Sequence, residues 1–251
     1  MRTDSKHARP RGRLVAGAVG AVLAICAVAL AVYFGTYYHA TEEAGTALAG
    51  TEAVSVTEID GGWLFAGTEG SADTALVFYP GAKVEAAAYA PLMAELAEAG
   101  VDCFLLTMPL RMAFLNMDAA LDVVEAYEYE TWILGGHSLG GAMAASCAAD
   151  HAGVFDGLLL LAAYPTSSVA ESVNWVVTIY GSEDGVLNEE KIEAGRAYMP
   201  EAYTELLIEG GNHAQFGAYG EQDGDGAATI SAGEQRAAVV EALLAQLEAA
   251  A

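Results

Sequence analysis

The chain has 251 residues, enough for one large domain, and its 54% hydrophobic content exceeds the roughly 45–50% of an ordinary soluble protein. Its formal charge is −24, and beyond residue 13 the imbalance deepens to 33 acids against five bases, or −28. Such a surface repels nucleic acid and anionic headgroups, which excludes nucleic-acid partners; the acids are spread over many segments, as on a solvated face.

Residues 14–34 run without a charge. As a helix rising about 1.5 Å per residue, this run reaches about 31 Å, the thickness of a bilayer's hydrocarbon core. Arg2, Lys6, Arg9, Arg11 and Arg13 precede it against the single acid Asp4, and the next base is Lys83. The positive-inside rule then places residues 1–13 in the cytoplasm and the long C-terminal part outside. Tyr33, Phe34, Tyr37 and Tyr38 fall where amphipathic rings favour the membrane interface, so residues 14–38 read as a single-pass signal-anchor with its interface. The competing reading is a secretory signal cleaved near Ala27-Val28-Ala29, whose apolar core is ordinarily only about 7–15 residues. Cys26 lies in the span. Cys103 and Cys147 sit in apolar stretches and read as buried free thiols, with a disulfide between them left open by an oxidising compartment, and no zinc-ligand spacing is present.

Residues 39–52, and 41–51 in particular, are rich in Ala, Gly, Thr and Glu and read as a linker, with the folded domain over 53–251. Residues 54–59 and 62–66, separated by Asp60-Gly61, predict an antiparallel hairpin. Strand-length apolar runs at 75–79, 101–107, 131–135, 157–162, 175–180 and 203–209 then alternate with helical stretches at 86–99, 117–127, 139–150 and 189–199. That alternation predicts a mostly parallel central sheet with helices on both faces, an α/β architecture. The last helix, 232–250, follows Ser231 as an N-cap and turns Val239, Val240, Leu243, Leu244 and Leu247 toward the sheet.

The chemistry begins where the strand 131–135 meets the helix 139–150. Gly136-His137-Ser138-Leu139-Gly140 is a G-x-S-x-G sequence in its required strand-to-helix context. The glycines permit a turn so sharp that Ser138 is lifted out of the sheet, with the N–H of Leu139 available to a developing oxyanion. After the strand ending at Tyr180 comes Gly181-Ser182-Glu183-Asp184-Gly185, so Asp184 is the expected acid, with Glu183 as fallback. After the next strand comes Gly210-Gly211-Asn212-His213, so His213 is the expected base. A hydroxyl needs a base to take its proton, and the imidazole needs a carboxylate to fix its tautomer. Nucleophile, acid and histidine occur in that order, each after a parallel strand. His137 reads as packing beside the nucleophile; His7, His39 and His151 are not placed to activate it.

With these motifs the chain resembles the α/β-hydrolase superfamily, in its compact dienelactone-hydrolase-like branch, from about Thr51 to the C-terminus. The resemblance also rests on Phe78-Tyr79-Pro80-Gly81-Ala82-Lys83, on Met108-Pro109-Leu110, and on Gly211-Asn212-His213-Ala214-Gln215-Phe216-Gly217. It implies a second oxyanion donor at the backbone N–H of Ala82, in a turn where Pro80 replaces the family's histidine. Dienelactone hydrolases use cysteine where this chain has Ser138, which points to a general ester or acyl substrate.

Only about a dozen residues separate the strands near Ala162 and Trp175, so no large lid is expected and the site should be open. Lys83, Met108, Phe216 and Tyr219 are the candidate pocket residues, with Leu110 and Met112 near them. Residues 221–226 faintly resemble a calcium loop but lack its closing glutamate, and read as an acidic surface loop. The expected protein is a membrane-anchored, extracytoplasmic serine hydrolase. It acts on a small-molecule or lipid ester through an acyl-enzyme, with neither metal nor organic cofactor. An amidase or acyltransferase would use the same three residues, and a catalytically silent binding protein would share the fold.

Overall fold

The computed structural model describes residues 11–70 and 72–250; Arg2, Asp4, Lys6, His7 and Arg9 of the basic tail lie outside them. The chain divides into two units, residues 1–37 and 38–251. The first contains helix α1 (Arg11–Gly35), whose segment Ala18–Gly35 has a mean hydropathy of 2.4 and none of its residues buried. It is long and apolar enough to be a membrane span or a signal sequence.

Among the described residues of the second unit, eight strands form one sheet. They are β1 (Val54–Ile59), β2 (Gly62–Gly67), β3 (Thr74–Tyr79), β4 (Asp102–Leu106), β5 (Thr131–His137), β6 (Gly157–Leu161), β7 (Trp175–Gly181) and β8 (Ala202–Ile208), in the order β1-β2-β4-β3-β5-β6-β7-β8. β1 and β2 form the expected hairpin, and β2 meets β4 antiparallel. From β4 to β8 every pairing is parallel. Central strands such as β3 bury Ala75 to Tyr79 on both faces, which is why they read as unbroken apolar runs.

One face carries α3 (Ala90–Glu98) and α7 (Ala232–Ala250), packed through Leu92, Leu96, Val239 and Leu243. The other carries α4 (Ala119–Ala126) and α5 (Leu139–Asp150), through Val123, Ala144 and Ala148. Ser231 caps α7 as expected: its hydroxyl accepts the Glu234 N–H while the Glu234 carboxylate accepts the Ser231 N–H, a reciprocal capping box. Two expected helices are broken. Residues 86–89 form a 3-10 turn ahead of α3, where Pro91 occupies the first turn, and α6 (Glu189–Gly195) passes into a 3-10 turn at Arg196.

The linker reading is corrected by the structure. The domain starts at Tyr38, and residues 42–48 form helix α2, with Ala44 fully buried and Arg236 bridging Glu43 and Glu95. Tyr38 forms a parallel bridge with Val84, donating to the Lys83 carbonyl at 2.7 Å and accepting from the Glu85 N–H at 2.9 Å. Composition alone suggested a tether; long-range backbone pairing makes this segment part of the domain.

Candidate functional site

The chain order changes direction at β3, which has β4 on one side and β5 on the other. Open parallel sheets bind ligands at such a switch point, beyond the carboxyl ends of the strands. The two loops that leave this point are Pro80–Lys83 after β3 and the turn His137-Ser138 after β5. Ser138 adopts φ 54° and ψ −123°, a left-handed backbone that costs a non-glycine residue about 1–3 kcal/mol. It is held there by its N–H, which donates to the Leu161 carbonyl at 2.9 Å. A side chain at Gly136 would sit 2.7 Å from the Tyr79 carbonyl oxygen, and one at Gly140 would overlap the carbonyls of Tyr79 and Pro80. Glycine at both positions is what lets the turn press against β3 and present the serine at the start of α5.

β7 and β8 deliver the other two residues. His213 Nδ1 lies 2.8 Å from Asp184 Oδ2, and the two side chains are 2% and 1% exposed. The other oxygen, Oδ1, accepts the N–H groups of Val186 and Leu187 at 2.9 and 2.8 Å. A carboxylate only accepts, so this pairing selects the Nδ1–H tautomer of a neutral imidazole, in which Nε2 is the acceptor. Nε2 is buried and has no hydrogen-bond partner among the described residues. Glu183, the fallback acid, instead accepts from the Ser182 hydroxyl at the exposed surface.

Asp225, read from sequence as part of an acidic surface loop, performs a different task. Its Oδ1 accepts the N–H groups of Gly185, His213 and Gly226, and its Oδ2 accepts that of Ala214 at 2.8 Å. One carboxylate thereby ties the loop carrying Asp184 to the loop carrying His213. Fully buried Gln235 of α7 secures the same loop, exchanging two hydrogen bonds with the backbone of Asn212. The Asn212 side chain donates to the Gly226 carbonyl at 2.8 Å. Such multiple backbone acceptance is invisible to a motif search, because a single Asp between glycines is ordinarily a turn former.

Ser138 and His213 line one cleft of about 230 Å³ together with Leu139, Ala142, Ala162, Ala163, Tyr164, Val186, Leu187 and Asn188. Among the described residues that line it, only His213 is acidic or basic. Residues 162–174 contain no helix or strand, in keeping with the expected absence of a lid. The expected pocket residues lie elsewhere. Met108 is packed in the core against the α4–α5 face; Phe216 and Tyr219 are buried on the α3–α7 face. Lys83, with φ 58°, pairs through its backbone with Tyr38 and Arg111, and Met112 is buried while Leu110 is exposed. The apolar character of Met108, Met112, Phe216 and Tyr219 reflects packing, whereas the cleft is lined by Leu139, Tyr164, Val186 and Leu187 and by alanines of α5 and the β6 loop that are too small to stand out in sequence. A larger groove, of about 630 Å³, flanks residues 212–228 without including Ser138 or His213.

His137 is completely buried beside the site. Its Nδ1 lies 2.7 Å from the Tyr89 hydroxyl and its ring centroid 4.4 Å from that of His213. Burial, reinforced by the adjacent His213, holds its pKa well below the ordinary histidine value, so the ring is neutral. At the far end of α5, Cys147, His151 and Asp118 converge, with their donor atoms within 4.8 Å of one another. Burial and the Asp118 carboxylate push the Cys147 thiol up to about 12, and His151 pairs with Asp118 at 3.2 Å. Cys103 and Cys147 are both unbonded buried thiols, as expected.

A serine at a strained turn, an imidazole and a carboxylate at one sheet edge are the components of nucleophilic acyl transfer. Solved structures with a similar fold include Est1E from Butyrivibrio proteoclasticus (TM-score 0.55, 14% identity, covering 78% of this chain and 100% of that one). TT1662 from Thermus thermophilus gives the same score and identity over 78% and 97%. A thermophilic esterase from the planctomycete Thermogutta terrifontis, Est2 with propionate bound, gives 0.52 and 14% over 77% and 94%. No curated protein sequence matches the chain. The model of the alpha/beta hydrolase family matches residues 75–237, from β3 into α7, and the chain belongs to that family.

Proposed function

We propose that the protein is a serine hydrolase that cleaves a carboxylic ester, or a related acyl bond, through an acyl-enzyme at Ser138. The observation that carries this reading is the almost fully buried 2.8 Å pair of Asp184 and His213, with the bare Nε2 of His213 and Ser138 lining one cleft. His213 Nε2 takes the Ser138 proton as Oγ bonds to the acyl carbon. The electron pair moves onto the carbonyl oxygen, where the N–H groups of Leu139 and Ala82 receive it. When the tetrahedral species collapses, the bond to the leaving alcohol breaks and His213 returns the proton to that alcohol. Water, activated by His213, repeats the sequence and releases the acid. Asp184 holds the imidazole in the Nδ1–H tautomer and stabilises its charged form throughout.

The cleft supports a small uncharged acyl group, because its volume is about that of seven or eight waters and its lining is apolar or neutral. Est2 from T. terrifontis is an esterase whose structure holds propionate, a short acid, which accords with this size. If α1 remains in a membrane, the basic residues before it support an extracytoplasmic domain with access to soluble or lipidic esters. The test is hydrolysis of p-nitrophenyl esters by the full chain in detergent, with and without an added alcohol acceptor. The expected result is release of free acid, lost about a millionfold in Ser138→Ala. A predominant transfer product would instead make it an acyltransferase, and turnover unaffected by the substitution would remove Ser138 from the reaction.

A further inference from the structure

The two N–H groups proposed to receive the oxyanion belong to separate loops, one after β3 and one after β5. Catalysis through both requires that their spacing be fixed before the charge develops. The structure contains a link between these loops that the reaction scheme leaves unused. The N–H of Gly81, immediately before Ala82, donates to the Tyr89 hydroxyl at 3.0 Å. That oxygen lies 2.7 Å from Nδ1 of His137, the residue immediately before Ser138. Because Gly81 supplies the proton of the first bond, the tyrosine's own proton is available to His137. In the tautomer that accepts it at Nδ1, the imidazole carries its hydrogen on Nε2, a buried atom without a hydrogen-bond partner among the described residues.

The fit around this link is close. A Cβ at Gly81 would lie 2.9 Å from both His137 Nδ1 and the Tyr89 oxygen, so only glycine lets the peptide settle on the pair. Tyr89 and His137 are 0% and 1% exposed. Tyr89 also packs against Tyr219, with ring centroids 6.5 Å apart, and Tyr219 against Tyr38 at 5.5 Å. The loop therefore rests on a column of aromatic rings in which Tyr89 and Tyr219 are buried and Tyr38 is half-buried.

We infer that Tyr89 and His137 are positioning residues that fix the distance between the oxyanion-binding N–H groups of Ala82 and Leu139. Neither is proposed to exchange a proton or form a bond in the reaction, although the His137 ring also packs on that of His213. The inference rests on the proposed acyl-transfer reading of Ser138, and it predicts a defect confined to the transition state.

The experiment compares the full chain in detergent with Tyr89→Phe, His137→Leu and His137→Asn, after thermal unfolding has shown which variants are folded. Each is assayed for kcat and KM on p-nitrophenyl acetate and for inhibition by a trifluoromethyl ketone, which forms a tetrahedral adduct. A misplacement of the order of 1 Å costs up to about 100-fold, so Tyr89→Phe and His137→Leu should lower kcat about 10- to 100-fold with KM nearly unchanged. The ketone's inhibition constant should rise by the same factor as kcat/KM falls. His137→Asn places an accepting oxygen near the position of Nδ1 and should recover most of the loss. Folded variants with wild-type kcat and ketone affinity would overturn the inference while leaving the Ser138 reading intact. If Tyr89→Phe fails to fold, the His137 pair decides: equal activity in Leu and Asn overturns it. Failure of the wild-type chain to turn over ester or bind the ketone would bring down the underlying reading, and the inference with it.

Discussion

Asp225 Oδ1 lies 3.2 Å from the backbone nitrogen of His213, and the same carboxylate accepts the N–H of Gly185 beside Asp184. It thus joins the two loops whose side chains form the buried acid–imidazole pair. Hydrogen bonds to a charged acceptor contribute about 1.5–3 kcal/mol each, and Asp225→Ala leaves several backbone donors without one. The expected outcome is a melting temperature lowered by several degrees and kcat lowered at least about tenfold, since the imidazole loses its fixed position. Differential scanning calorimetry and ester hydrolysis on the same preparation check both. Wild-type values for both would show that the loops hold their places without this carboxylate.

Asp184→Asn keeps the size of the acid but offers Nδ1 of His213 an amide in place of a pure acceptor. With the tautomer no longer enforced, kcat should fall about 10⁴-fold while the fold survives. Steady-state kinetics with a circular dichroism control measures this. A loss of less than tenfold would assign the acid's task to another residue, and Glu183→Gln in the same background would show whether that is the one.

His137 makes stability depend on pH in a defined direction. It is neutral in the folded state, facing Tyr89 and His213, with its pKa well below the ordinary 6.5 through burial and the neighbouring imidazole. An unfolded chain protonates this side chain as pH falls through about 6.5, whereas the folded chain does not, so acidification favours unfolding. Above that pH the residue contributes no slope. Below it, one withheld proton costs about 1.4 kcal/mol per pH unit. Urea unfolding from pH 7.5 to 5.5 should show a shallower acid decline in His137→Asn than in the wild type. Parallel curves would mean that His137 takes up its proton equally in both states.

The sequence made the strand ends and their three residues legible because each is signalled locally. Glycines bracket Ser138, and short apolar strands end just before Asp184 and His213. The fold class was legible for a related reason, since strands buried on both faces, such as β3, are apolar throughout. What escaped the sequence depends on contacts between distant segments. Asp225 touches residues 40 and 12 positions away, Tyr89 bonds to a histidine 48 positions on, and Tyr38 pairs with Val84. The same limit misdirected the pocket reading. Large side chains such as Phe216 and Tyr219 draw attention in sequence, but they fill the core behind the site, while Ala142, Ala162 and Ala163 line the cleft together with Leu139, Tyr164, Val186 and Leu187.

The central claim, that Ser138 is an activated nucleophile, is tested most directly by treating the full chain in detergent with a fluorophosphonate and mapping the adduct by mass spectrometry. The account predicts a single adduct on Ser138, absent from Ser138→Ala and strongly slowed in Asp184→Asn. A folded protein that remains unlabelled, or one labelled on another residue, would contradict it.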